Sequence, residues 1–132
     1  VATTDQLAVL QAQCRQVYVD PSLVQYAVKL VSATRTPEKH GIKDMASLIT
    51  FGASPRATIG LVEGARALAM LRGRNYALPE DMSDLVPDVL RHRIVLSYEG
   101  LSEGLDSDAL IARIMAAVTP PTKPLEHEKK AA

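Results

Sequence analysis

The sequence has no tryptophan, one phenylalanine, four tyrosines and one cysteine in 132 residues. So few aromatics argue against a β-sandwich core. The Ala, Leu and Val that take their place suit packed helices. A lone Cys14 has no partner for an internal disulfide, and a reduced, cytoplasmic setting is the expectation. Neither sign of charge is in excess: 15 Lys and Arg face 15 Asp and Glu. A dedicated nucleic-acid binder would carry a basic surplus, so neither nucleic-acid binding nor a DNA-binding helical domain is expected. No apolar run approaches the ~20 residues of a membrane span, and no signal peptide is recognisable.

Chemical motifs are equally scarce. There is no GxxxxGK[ST] phosphate loop and no GxGxxG turn. His40, His92 and His127 lack metal-ligand spacing, and no metal site is expected. Glu80, Asp81, Asp84 and Asp88 form an acidic group on one short helix; it reads as a solvated face beside a helix dipole rather than a convergent cation site. The chain alone does not read as an enzyme. It opens at Val1 in mid-pattern, and we expect a piece of a larger protein.

What is present is helical punctuation. Thr3 with Gln6 forms a capping box for a helix over 4–16, with Leu7, Leu10, Cys14 and Val17 as its apolar stripe. Asp20-Pro21 starts a second helix that carries Leu23, Val24, Ala27, Val28, Leu30 and Val31, and Thr36-Pro37 ends it. Residues 36–53 read as a long loop with a short extended piece, LITFG. Ser54 caps a third helix with Pro55 at its first position, and Gly73 follows its end. That helix is apolar almost all round, which predicts a central place in a bundle. Gly60 and Gly64 inside it predict a close approach by another backbone or a functional compromise.

Pro79 starts a fourth helix, which Pro87 is expected to break, and RIVLS is a second candidate extended segment. Residues 100–104 read as loop. Asp106 caps a last helix with Leu110, Ile111, Ile114, Met115 and Val118 inward. The predicted fold is all-α: a small bundle of about five helices, with very short extended segments near 48–52 and 93–97.

Arg56 breaks a local rule. It falls in the first turn of the third helix, where the dipole disfavours a cation. Free N–H groups and positive potential at that end suit an anion, and a guanidinium would strengthen the site. The plainer alternative is an arginine that points to water or pairs with Glu63. Arg66, Arg72 and Arg74 make the same region basic, as a solvated face or a contact surface. Arg91 and Arg93 read as ion-pair partners for Asp81, Asp84 or Asp88. Tyr76 and Tyr98 read as edge-of-core residues.

The stretch GASPRATIGLVEGARALAMLRGRNY (52–76), with PEDMSDLVPDVLRHRIVLSYEG (79–100) after it, closely resembles the C-terminal lid of the MoxR family of AAA+ ATPases. VYVDPSLVQYAVKLVSATR (17–35) and ALIARIMAAVTPP (109–121) fit the same family, so the resemblance covers roughly residues 5–121.

Composition alone, Pro-rich and then charged, predicts a disordered tail over 119–132. The resemblance implies a helical lid domain over 1–118. It implies that Arg56 is the sensor-II arginine, reaching the γ-phosphate of ATP held with Mg2+ by an α/β core in the full-length protein. Ser54, Pro55 and Ala57 would lie at the helix end near that phosphate. It also implies a ring, commonly a hexamer, with chaperone-like remodelling activity. The partners would be the core of the same chain, neighbouring subunits and von Willebrand factor A domain proteins. The isolated piece would be a monomer without cofactor. One departure is Leu78 before Pro79, where a capping Thr is commoner. The competing reading is a stand-alone helical interaction module, docking a partner through a Gly60/Gly64 groove or the basic edge.

Overall fold

A computed structural model describes residues 1–122. Residues 119–122 lie outside helix and strand, and the rest of the expected tail lies outside the described residues. Among the described residues six α-helices are seen: α1 (Thr4–Arg15), α2 (Pro21–Ala33), α3 (Arg56–Leu71), α4 (Pro79–Leu90), α5 (Tyr98–Ser102) and α6 (Ser107–Ala117). The extended segments are real but minimal. β1 (Ile49–Phe51) pairs antiparallel with β2 (Val95–Leu96), setting Ile49 opposite Leu96 and Phe51 opposite Val95. Among the described residues no helix is long and apolar enough to cross a membrane.

The helix starts follow their local chemistry. Thr3 and Gln6 close the capping box of α1. Asp20 accepts the Ser22 N–H at 2.8 Å ahead of α2, and Asp106 accepts the Ala109 N–H at 2.8 Å ahead of α6. Before α4, Leu78 has no side-chain oxygen to offer. Asp81 supplies the other half of a box by accepting the Leu78 N–H at 2.7 Å.

The core lies between α2, α3, α4 and α6, filled by Leu23, Leu30, Leu61, Met82, Leu90 and Ile111 among others. The buried line on α3 is Ala57, Leu61, Ala65 and Ala69, which recurs every four residues and faces one way. The helix is therefore central without being apolar on all sides in effect, since Ile59 and Leu71 are exposed. Its small residues let α4 come close. The expected approach of another backbone to Gly60 and Gly64 is not what is seen; both meet side chains. A Cβ on Gly60 would stand 3.5 Å from Val89, and one on Gly64 3.0 Å from Leu85.

Several expectations are corrected. α1 buries none of its residues: Leu7 and Leu10 remain 52% and 43% exposed, and Cys14 is half-buried. Only Val17, past the helix end, reaches the core. α1 lies against α3, with the Arg15 carbonyl accepting from Arg66 at 3.1 Å. Val24 and Val28 likewise face outward from α2.

Pro87 does not break α4, which runs unbroken to Leu90. The local cost of an internal proline is ~3 kcal/mol. Met82, Val86 and Leu90 are fully buried along one face of the helix, and at about 1.5–3 kcal/mol each they outweigh it.

Residues 98–102 are a short helix rather than the start of a loop. Ser97 accepts the Gly100 N–H at 3.1 Å and donates to the Ser47 carbonyl at 2.6 Å. This turns Tyr98 outward, 88% exposed, so it is not an edge-of-core residue. Tyr76 is half-buried, with the Arg74 guanidinium 5.9 Å from its ring centre. The segment 36–53 is also more ordered than a loop, holding two 3-10 turns, Pro37–His40 and Lys43–Met45, before β1.

Candidate functional site

Arg56 is the first residue of α3, and its side chain is exposed. Among the described residues it has no hydrogen bond or ion pair. Glu63, its candidate partner, lies 3.9 Å from Arg66 instead. The guanidinium therefore faces solvent at the positive end of a sixteen-residue helix.

The neighbouring residues are placed as follows. Ser54 and Pro55 are exposed, and the Ala57 methyl is fully buried. Ser54 does not cap with its hydroxyl. Pro55 already has helical dihedrals (φ −55°, ψ −22°) and occupies the cap position. The first-turn donors go to main-chain carbonyls instead: Ala57 N–H to Ser54 at 2.9 Å, and Thr58 N–H to Pro55 at 3.0 Å. Ala57 is buried as a whole residue and its N–H is already engaged, so it offers no contact to a ligand in this arrangement.

The path into this turn is held from α2. Thr34 is fully buried; its hydroxyl accepts the Ala53 N–H at 2.8 Å and donates to the Val31 carbonyl at 2.7 Å. Arg35 donates to the Ala53 carbonyl at 3.1 Å. Gly52 lies so close that a Cβ would fall 2.2 Å from the Thr34 carbonyl oxygen. Spacing alone gives no hint of these three residues. The one available signal is a glycine just ahead of a Ser-Pro helix start.

The far end of α3 is tied differently. Asp81, read as part of a solvated face, is fully buried. It accepts Arg72 at 2.8 Å, Arg74 at 2.8 and 2.6 Å, and the Leu78 N–H. Arg72 also reaches Asp84 at 2.6 Å. Burial is the largest single influence on the Asp81 carboxyl and opposes its charge. The Arg74 contact, the Leu78 N–H and the Arg72 contact together outweigh it and hold the carboxyl below its usual range. Hydrogen bonds to Asp84 and then Asp81 raise Arg72, and that to Asp81 raises Arg74.

The basic edge is thus largely spent on internal pairs, and the Gly60/Gly64 groove is filled by α4. Arg91 pairs with Asp88 at 3.3 Å and Asp108 at 2.7 Å, while Arg93 donates to the Val89 carbonyl. Among the described residues no three His, Cys, Asp or Glu converge as metal ligands.

Comparison with known proteins places this geometry. The family model described as the AAA lid domain matches residues 42–114. The chain is 42% identical to the chaperone MoxR1 of Mycobacterium tuberculosis, over 92% of this chain and 32% of that protein. It is 39% identical to protein MoxR of Paracoccus denitrificans, over 79% of this chain and 32% of that one. A crystal structure of a candidate ATPase from Cytophaga hutchinsonii superposes with a TM-score of 0.81 at 39% identity. That match covers 84% of this chain and 34% of the other. The chain spans about a third of the length of these proteins.

Proposed function

The chain belongs to the AAA lid domain family, in the MoxR group of AAA+ ATPases, and from that premise we propose that Arg56 is its nucleotide sensor. In the longer protein, Arg56 serves as sensor II toward the γ-phosphate of ATP held by an ATPase core outside this chain. One observation carries the reading. A guanidinium stands exposed and unpaired, among the described residues, on the first residue of a long helix. Left alone, it is mildly unfavourable there. An incoming anion reverses the sign of that interaction, because helix end and guanidinium then attract the same group.

These residues suit a single anionic group: one forked donor set and one helix end. Bound ATP supplies the negative charge, and Mg2+ is held with it by the core, as the AAA+ membership implies. Arg56 orients toward the terminal phosphate and gives the lid a contact that weakens after hydrolysis. That difference in affinity is what shifts lid orientation. The Mycobacterium relative is described as a chaperone. By analogy the whole protein is a cytoplasmic remodelling ATPase that forms a ring, a hexamer in our reading. Neighbouring subunits and von Willebrand factor A domain proteins are its partners.

The test is Arg56→Ala in the full-length protein. The circular dichroism spectrum and melting temperature should be unchanged, since the side chain holds nothing in the fold. Turnover at saturating ATP should fall by at least about tenfold, equivalent to ~1.4 kcal/mol of barrier. Unchanged turnover overturns the assignment.

A further inference from the structure

The residues just ahead of Arg56 are gripped by the end of α2 at both polar groups of one peptide residue. Thr34 takes the Ala53 N–H and Arg35 takes the Ala53 carbonyl. Gly52 leaves the room for this approach. Ala53 and Ala57 are both fully buried, and Pro55 between them has a fixed φ. Little freedom is left at residue 56 except in its own side chain.

We propose that Thr34 is a positioning residue for Arg56: its buried hydroxyl, with Arg35 and Gly52, fixes the main chain from which the guanidinium projects. The proposal rests on the reading of Arg56 as nucleotide sensor and extends it to α2. A long side chain reaches a phosphate productively only from a backbone held in place. Removing the hydroxyl leaves the Ala53 N–H buried without a partner, and the turn must open to find water.

In the full-length protein, kcat and KM for ATP are measured for Thr34→Val, Thr34→Ser, Arg35→Gln, Arg56→Ala and the double variant Thr34→Val/Arg56→Ala. Thr34→Val should lower kcat/KM by about threefold or more, and Thr34→Ser, which keeps the hydroxyl, should restore it. In the Arg56→Ala background Thr34→Val should add nothing, the mark of two residues acting as one. Wild-type kinetics for Thr34→Val, or effects that multiply independently, overturn the proposal.

Amide exchange of the peptide spanning 50–58 separates the two claims. Faster exchange in Thr34→Val and Arg35→Gln, with Thr34→Ser like wild type, supports the clamp even if Arg56→Ala leaves turnover intact. That last result sinks only the sensor reading. Unchanged exchange sinks the clamp. If Thr34→Val does not fold, the surface variant Arg35→Gln carries the same exchange comparison.

Discussion

Arg74 grips both carboxylate oxygens of Asp81, at 2.8 and 2.6 Å, across the turn between α3 and α4. With Arg72 on one of those oxygens, a fully buried carboxylate is shared by two arginines. Gly73 between them adopts φ +75°, the left-handed conformation that ends α3 and turns both arginines toward α4. Asp81→Asn should destabilise the domain by about 2–3 kcal/mol. This falls below the usual cost of breaking a fully enclosed pair, because water can still reach the two cations. Urea unfolding should show a lower midpoint at an unchanged slope.

Acid sensitivity follows from the same pair. The Asp81 carboxyl titrates lower in the folded state than in the unfolded chain, where its pKa is about 3.9. Its contribution is therefore fully present above that pH and is lost as pH falls through the folded value. Thermal melts between pH 7 and pH 2 should lose stability below about pH 4. Asp81→Asn should flatten that limb of the profile.

Two glycines should answer oppositely to alanine. At Gly60 the new methyl would make an ordinary contact with Val89. Helix propensity then acts alone, for up to about 1 kcal/mol of added stability. At Gly52 the methyl would collide with the Thr34 backbone, and a loss of about 1–3 kcal/mol is expected from forced repacking. Paired denaturation curves read both signs directly.

Leu7→Ala should change stability by no more than about 0.5 kcal/mol, because the side chain lies in solvent on α1. Leu61→Ala on α3 should cost about 2–5 kcal/mol, because it opens a cavity in a closed core. Equal effects in chemical denaturation would mean that α1 is packed in solution.

Arg56→Lys keeps the charge and loses the planar fork. In the full-length protein it should recover part of the turnover lost in Arg56→Ala, because a point charge attracts phosphate without matching its oxygens. Steady-state ATPase rates of the three proteins check the order.

Helix starts were legible because their chemistry is local. Asp20, Asp106 and the Thr3/Gln6 box act within three residues of themselves, and each is seen where spacing predicts it. The family resemblance rested on Gly-Ala-Ser-Pro-Arg-Ala and Leu-Arg-His-Arg, and the lid family match runs through both. What spacing could not show was depth. Asp81 differs from Asp84 and Asp88 in being buried and in taking Arg74 as well as Arg72 across a turn, which no periodicity reports. Pro87 and Leu10 misled for a related reason. Each obeys a local rule whose outcome depends on whether a neighbouring helix packs over it. Thr34, an ordinary residue at a helix end, acquires its role only when Ala53, nineteen positions away, returns to it.

α3 has Arg56 at its first residue and Arg72 just past its last, so about 24 Å of helix separates an unengaged cation from a rooted one. The backbone is held at both ends, by the grip of α2 on Ala53 and by Asp81 on Arg72 and Arg74, so only the Arg56 side chain is loose. A pull on that side chain would carry α4 along with α3, because the two helices pack tightly at Gly64, where a Cβ would stand 3.0 Å from Leu85. Nucleotide chemistry at a single side chain would then be felt as a rotation of the whole bundle.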